Sequence, residues 1–205
     1  MWRWTRRALM PAIAVLAVSC GTSTQMVESW HEPEFKPTPA KKVLIIGIGE
    51  NELRVKVFED IMSQKFAARK LDALRGLEVI PRSAENMDAV KEAVRATGSD
   101  IAITCRFLGM EKETQYVPGS SYYVPGPTYY GMYSYYPSAY AVASDPGYFT
   151  TYKIYKIESN VYDVKTEKLI WSGRSETTDP ANPQDGINSF GNTLMTELVR
   201  YKIIK

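Results

Sequence analysis

The chain of 205 residues has few of the side chains on which most catalytic and metal sites depend. Its one histidine, His31, lies before the predicted domain, so neither a Ser-His-Asp triad nor a histidine-ligated metal site can form within that domain. Only one of its two cysteines, Cys105, lies inside the domain, which excludes a disulfide framework. Cys105 stands in the apolar run IAITCRF, a setting typical of a buried, unreactive thiol. We therefore expect no cofactor, no metal ion and no enzymatic activity.

The chain also lacks a strong charge of either sign and a long apolar run. Its 25 Lys and Arg residues stand against 23 Asp and Glu residues, a balance that does not predict nucleic-acid binding. The apolar stretch Ala8–Ser19 contains Pro11 and is shorter than the roughly 20 apolar residues that a helix needs to cross a bilayer. We expect this stretch to be removed by processing rather than kept as a membrane span.

The amino terminus is organised like an export signal. Three arginines precede the apolar stretch, and the small residue Ser19 stands directly before Cys20. The sequence Ala17–Cys20 resembles a bacterial lipobox, although the family pattern prefers Leu where this chain has Ala17. The resemblance implies that residues 1–19 are a signal peptide and that Cys20 becomes the lipidated first residue, carrying palmitate or similar acyl chains. An ordinary secretory signal with an incidental cysteine is the alternative.

The lipobox resemblance also implies a location. Two or more acyl chains hold a protein stably on a membrane, where one chain is marginal. In the sorting rules of such lipoproteins, Gly21 after the cysteine, rather than Asp, implies the outer membrane, with the chain facing the periplasm. Loss of the three signal-peptide arginines leaves 22 basic residues against 23 acidic ones.

Three regions are predicted along the chain after the signal peptide. Residues 20–42 are polar and contain three prolines, without a helical or strand period, which predicts a flexible tether whose Trp30 and Phe35 dock back on the domain. Residues 43–205 suit a single domain. Within that domain, residues 116–149 are predicted to form a long tyrosine-rich loop.

Apolar periodicity predicts an α/β (α+β) fold. The expected architecture is a mixed β-sheet packed by three helices, in the order β-α-β-α-β-β-β-α, with a long Tyr/Gly/Pro-rich insertion between the third and fourth strands. The predicted strands are KVLIIGIG, Leu77–Pro81, Asp100–Tyr116, Tyr152–Val164 and the returning strand with Leu169, Trp171 and Gly173. The predicted helices are one of about five turns after Asn51, one over Asn86–Thr97 ended by Gly98, and one capped by Asn182 and Pro183.

Sequence features at both ends of the chain together carry a family resemblance. The lipobox, the proline-containing tether, KVLIIGIG and VYDVKTEKLIWSG are similar to those of small bacterial lipoproteins of unknown function. The domain of those lipoproteins resembles the amino-terminal domain of TolB, and also resembles LpoB and CsgG. The resemblance covers most of residues 41–205 and implies the fold, without implying an active site.

The insertion has the most biased amino-acid composition of any segment of the chain. Ten of the 14 tyrosines lie between Tyr116 and Tyr148, together with several prolines, glycines and serines. Long connections of this kind are functional or disordered, and Tyr, Ser and Gly make versatile recognition surfaces. The expected partner is an envelope protein or peptidoglycan, contacted through Tyr122, Tyr123, Tyr129, Tyr130, Tyr133, Tyr135 and Tyr136. The alternatives are a loop that folds over its own sheet or fluctuates as a spacer, and membrane insertion similar to that of CsgG, which the prolines oppose.

The remaining sequence patterns that resemble a binding or catalytic motif contain acidic residues. GIGENE begins like a dinucleotide fingerprint, but Glu52 stands at the third glycine position. Glu111 and Glu113 share one strand face, as a glycosidase pair would, although solvated charges at a strand end are far commoner. We expect Glu50, Glu52, Glu59 and Asp60 to be solvated acids near a helix start. The sequence therefore predicts a non-enzymatic envelope interaction module of undetermined oligomeric state, or, alternatively, an oligomeric assembly or secretion-accessory subunit resembling CsgG.

Overall fold

A mixed six-stranded sheet organises the part of the chain that the structure, a computed structural model, describes: residues 22–35, 38–80, 86–119 and 147–205. The elements are β1 (Ser23–His31), β2 (Lys42–Ile48), α1 (Glu52–Ala68), β3 (Asp72–Arg75), α2 (Gly76–Val79), α3 (Met87–Ala96), β4 (Ile101–Val117), β5 (Tyr148–Asp163), β6 (Leu169–Thr178) and α4 (Pro183–Arg200). The strand order is β1-β6-β5-β4-β2-β3. β2 runs parallel to β3 and β4, and the other pairs are antiparallel. The predicted α+β class is confirmed. Cys20 and the seven predicted contact tyrosines lie outside the described residues.

The core lies between one face of the sheet, here called the inner face, and the helices α1 and α4. The side chains that are completely enclosed there are Val43, Ile45, Met62, Phe66, Ile103, Val161, Trp171, Phe190, Leu194 and Leu198. Burying a large apolar side chain contributes about 1.5–3 kcal/mol, so this layer supplies most of the stabilisation. The inward row of α4 contains Phe190, Leu194 and Leu198, which recur at helical spacing in the sequence.

Helix α1 begins where the sequence predicts, but only one of its two apolar rows faces the core. Asn51 caps it, because its side-chain oxygen accepts the Arg54 N–H at 3.0 Å. Four-residue spacing in the sequence gives two adjoining apolar rows. The row of Phe58, Met62 and Phe66 does pack in the core, whereas Leu53 of the other row is 70% exposed. The buried residues of the helix are Val55, Glu59, Met62 and Phe66. The four-residue spacing of apolar side chains is misleading for Leu53, because the carboxylate of Glu59 occupies one of the core positions of this helix.

The short strand after α1 lies earlier than predicted. Asp72–Arg75 pairs with β2, and the region predicted as the strand Leu77–Pro81 instead begins within helix α2. Gly76 starts α2 against the backbone of β2, where an added Cβ would lie 3.0 Å from the Ile45 carbonyl oxygen. The predicted second helix is confirmed as α3, whose cap is Asn86, and Gly98 follows it with φ 63°.

The segment predicted as a flexible tether contains an edge strand. β1 pairs with β6 from Ser23 opposite Thr178 to His31 opposite Trp171, with an irregularity at Val27. The expectation that no strand forms between residues 21 and 42 is therefore wrong for β1. An edge strand with one wet face needs few apolar residues, so its sequence shows no strong alternation. Phe35 does pack against the core as expected, whereas Trp30 is 45% exposed.

Hydrogen bonds hold the start of β1 against α4. The Thr24 hydroxyl donates to Ser189 Oγ at 2.9 Å, and Ser189 Oγ donates to the Thr22 carbonyl at 3.2 Å. The Thr193 hydroxyl donates to the Thr24 carbonyl at 3.2 Å. The amino-terminal end of β1 is therefore bound to both the neighbouring strand and the covering helix.

Candidate functional site

Strands β4 and β5 continue together beyond the rest of the sheet. β4 pairs with β2 only as far as Arg106, and β5 pairs with β6 only from Ile154 onward. The β4–β5 ladder nevertheless runs on to Val117 opposite Tyr148. The six final pairs, Lys112–Val117 with Tyr148–Lys153, form a two-stranded extension, here called the ribbon, about 20 Å long at roughly 3.4 Å per residue.

The ribbon exposes aromatic side chains at its free end. Tyr116 and Phe149 face each other with ring centroids 5.2 Å apart, and they are 53% and 74% exposed. Tyr148, opposite Val117, is 64% exposed. The tyrosine-rich segment joins the two strands at this end, so the predicted loop of residues 116–149 begins and ends with paired strand residues.

The inner face of the ribbon also carries two lysines. Lys112 and Lys153 are directly opposite, and neither forms an ion pair with a described residue. Like charges that face each other across two strands destabilise the pairing. Between them and the aromatic rings, the hydroxyls of Thr114 and Thr151 lie 3.0 Å apart. The ribbon therefore presents a cationic band set back from an aromatic end.

Glu111 and Glu113 are solvated, as the sequence favours over a catalytic pair. Glu111 and Glu113 share the outer face, but Glu111 binds Lys156 Nζ at 2.7 Å, and Lys156 Nζ also lies 3.6 Å from Glu176. The hydrogen bond with Glu111 raises the pKa of Lys156 above its ordinary value. Both glutamates are exposed, as expected of solvated charges at a strand end.

The outer face of the sheet beside the ribbon is polar. Glu28, Arg174, Glu158 and Arg106 stand in one row across four strands. Arg174 lies 3.4 Å from Glu28, and Arg106 lies 3.3 Å from Glu158. Exposed ion pairs of this kind contribute about 0–1 kcal/mol each, so the row indicates a solvated surface more than a stabilising network.

Glu59 is not solvated, contrary to the expectation from sequence. Its side chain is 1% exposed. One carboxylate oxygen accepts the Gly47 N–H at 2.8 Å and the other accepts the Leu77 N–H at 2.9 Å. Gly47, near the end of β2, therefore has its backbone donor bound by the chain's own carboxylate, whereas a dinucleotide-binding fold offers the donors that follow this strand to phosphate.

Cys105 has the properties of a structural thiol. It is 4% exposed, and its Sγ lies 3.6 Å from Ser159 Oγ. Burial raises the pKa of Cys105 to about 12, and the charge of Glu59 adds to the rise. His31 lies in β1 with its ring 4.7 Å from that of Tyr201. Among the described residues, no three His, Cys, Asp or Glu side chains meet to hold a metal ion.

Comparison with known proteins gives only remote structural matches. No protein-family model and no curated protein sequence matches the chain. The PelC dodecamer from Paraburkholderia phytofirmans aligns over 90% of this chain and 99% of its own, at 11% identity and a TM-score of 0.42. The lipoprotein GNA1162 from Neisseria meningitidis aligns over 78% and 96%, at 8% identity and 0.38. A homologue of neuraminyllactose-binding hemagglutinin from Helicobacter pylori aligns over 85% and 90%, at 12% identity and 0.32.

At these scores the likeness supports no inference about activity or partners. The resemblance to the TolB, LpoB and CsgG domains therefore stays a prediction. Within the described ranges, no helix has the length and apolarity needed to cross a membrane.

Maleimide labelling tests the assignment of Cys105 as a structural residue. In a Cys20→Ala chain at neutral pH, we expect a maleimide to leave Cys105 unmodified in the folded protein and to modify it fully in denaturant, because the thiolate is the reactive form. Intact mass before and after unfolding measures the difference. Rapid modification of the folded chain would contradict the assignment of Cys105 as a structural residue.

Proposed function

We propose that the chain is a membrane-anchored lipoprotein of the cell envelope that acts as a non-enzymatic interaction module. In this proposal, lipid on Cys20 holds the protein at a membrane, the α+β domain is a rigid support, and the ribbon with its tyrosine-rich segment makes the contacts. The outer membrane, with the domain in the periplasm, is the proposed location. An envelope protein or peptidoglycan at the membrane surface is the proposed partner.

The observation that carries the proposal is the exposed aromatic end of the ribbon. Tyr116, Tyr148 and Phe149 present large rings to solvent on a backbone that a continuous strand ladder holds in place. Aromatic residues are enriched at interfaces because they bury a large area with little side-chain entropy to lose. The seven predicted contact tyrosines belong to the segment that this end carries, so the proposed contact surface is one continuous part of the chain.

The chemistry of the described side chains supports a non-enzymatic role. Three of the candidates for catalysis are enclosed or bound by other groups: Cys105 is enclosed, Glu59 binds two backbone amides, and Glu111 is paired with Lys156. A nucleophile or general base needs an accessible position and a suitable proton partner. None of these three groups combines the two.

Labelled palmitate tests the proposed anchor. Because Cys20 is the proposed acylation site, we expect the wild-type chain and a Cys105→Ala control to incorporate the label and a Cys20→Ala chain to contain none. Immunoprecipitation followed by scintillation counting measures the incorporation. Equal label in all three chains, or label in none, would contradict the anchor.

Replacing the tyrosine-rich segment tests the proposed contacts. Because Val117 and Tyr148 are paired, residues 118–147 can be exchanged for Asn-Gly, which forms a two-residue hairpin turn. We expect the thermal midpoint to stay the same, since the core is untouched, and the crosslinks to envelope partners to disappear.

The crosslinks are measured in intact cells with a photoreactive residue at Gln115, which both chains retain. A photoreactive residue at Lys165, in the β5–β6 turn, is the matched control. An identical set of adducts from the full chain and the replaced chain would show that the segment makes no contacts.

A further inference from the structure

The proposed anchor and the ribbon lie at the same end of the sheet. Ser23 at the start of β1 is opposite Thr178, and Thr178 is opposite Ile154. The ribbon residues of β5 directly precede Ile154, and β1 and β5 run in the same direction, since each is antiparallel to β6. The ribbon therefore extends past Ser23 on the side from which the chain enters β1.

Very few residues separate the proposed lipidation site from the first residue that the domain binds. Thr22 is bound by Ser189, and Cys20 precedes it by only two residues. Two residues span at most about 7 Å, so the acylated residue stays close to the start of β1. The flexible tether expected from the sequence would have left the orientation of the domain free, whereas the docked strand β1 restricts it.

The ribbon reaches further than the anchor does. Three residues from Cys20 to Ser23 span at most about 10 Å, whereas the ribbon extends about 20 Å past the level of Ser23. β5 and β4 are the second and third neighbours of β1 in the sheet, at about 10–15 Å for a strand spacing of about 4.8 Å. A bilayer that holds the lipid on Cys20 therefore lies within reach of the ribbon.

The side chains at this end suit a lipid surface. Tyr116, Tyr148 and Phe149 are exposed at the far end, and Lys112 and Lys153 lie several residues closer to the domain. Aromatic rings favour the boundary between headgroups and hydrocarbon, and lysines reach anionic headgroups just outside that boundary. An anionic surface also relieves the repulsion between the two facing lysines.

We infer that the aromatic end of the ribbon rests in the headgroup layer of the leaflet that holds the lipid on Cys20. The inference rests on the proposed lipid anchor and names the first partner of the ribbon, a phospholipid surface. Two points of attachment, the lipid and the ribbon, then fix the orientation of the domain.

A fluorophore on the ribbon tests this inference. Gln115, which is exposed beside the rings, is changed to Cys and labelled with an environment-sensitive dye, while enclosed Cys105 stays unlabelled. Lys165→Cys, in the turn at the opposite end of the sheet, is the matched control. The full lipidated chains are reconstituted into vesicles of phosphatidylethanolamine and phosphatidylglycerol that contain doxyl-labelled lipid, and flotation measures attachment separately.

We expect doxyl lipid to quench most of the emission at position 115 and little of that at position 165. A Tyr116→Ser, Phe149→Ser chain labelled at position 115 is expected to float with the vesicles but to lose most of the quenching. Floating protein whose dye at position 115 is unquenched would overturn the inference while leaving the anchor intact. A dye shielded from aqueous iodide but not quenched by doxyl lipid would indicate a second copy over the ribbon and would also overturn it. Protein that fails to float would overturn the anchor itself, and the inference with it.

Discussion

The pairing of β1 with β6 is the interaction on which the rest of the structure depends. Without β1, β6 would be an edge strand. Its backbone donors and acceptors would then be open to other chains, although β6 contributes the buried Trp171 to the core. β1 satisfies those groups from Ser23 to His31, and its hydroxyl side chains bind α4. A stretch that is predicted to be a spacer is therefore part of the sheet, and the entry point of the chain is fixed relative to every other element.

The ribbon depends on the same sheet for its rigidity. An isolated two-stranded hairpin is at best marginally stable in water. The ribbon, however, consists of the ends of β4 and β5, and nearer the core each of these strands has a partner on both sides. Gly109, with φ 144°, follows an irregularity in β4 at the point where β2 stops pairing, and such bulges increase the local twist. Lys156 then joins Glu111 to Glu176 across three strands at the base of the ribbon. Side chains at the ribbon's end are thereby presented in a defined arrangement while staying exposed.

The parts of the fold that could be predicted from the sequence are those with strong local signals. Asn51, Asn86 and Asn182 each cap a helix, because a side-chain oxygen before an apolar period satisfies a free backbone amide. Likewise, the buried β2 and the first half of β4 read as continuous apolar runs, and Trp171 returns to the core by strand alternation.

The parts that could not be predicted depend on contacts between distant residues. β1 has no apolar period of its own and forms only because β6 offers an edge. Glu59 looks like an acid of the first helix and is buried only because Gly47 and Leu77 bring two amides to it. The aromatic end of the ribbon lies within a tyrosine-rich stretch, and only the register of β4 with β5 separates Tyr116 and Phe149 from the segment between them. The direction of the ribbon relative to the anchor follows from the pairing of β1 and β5 with β6, which no local pattern encodes.

Hydrogen–deuterium exchange over residues 22–31 of the intact lipidated chain tests the central claim most directly. If β1 is part of the sheet, the amides that bond to β6 exchange far more slowly than the same amides of the chain unfolded in denaturant, because each must wait for the sheet edge to open. Exchange at the unfolded rate throughout this segment would mean that the strand is a tether after all, and neither the fixed anchor nor the orientation of the ribbon would then follow.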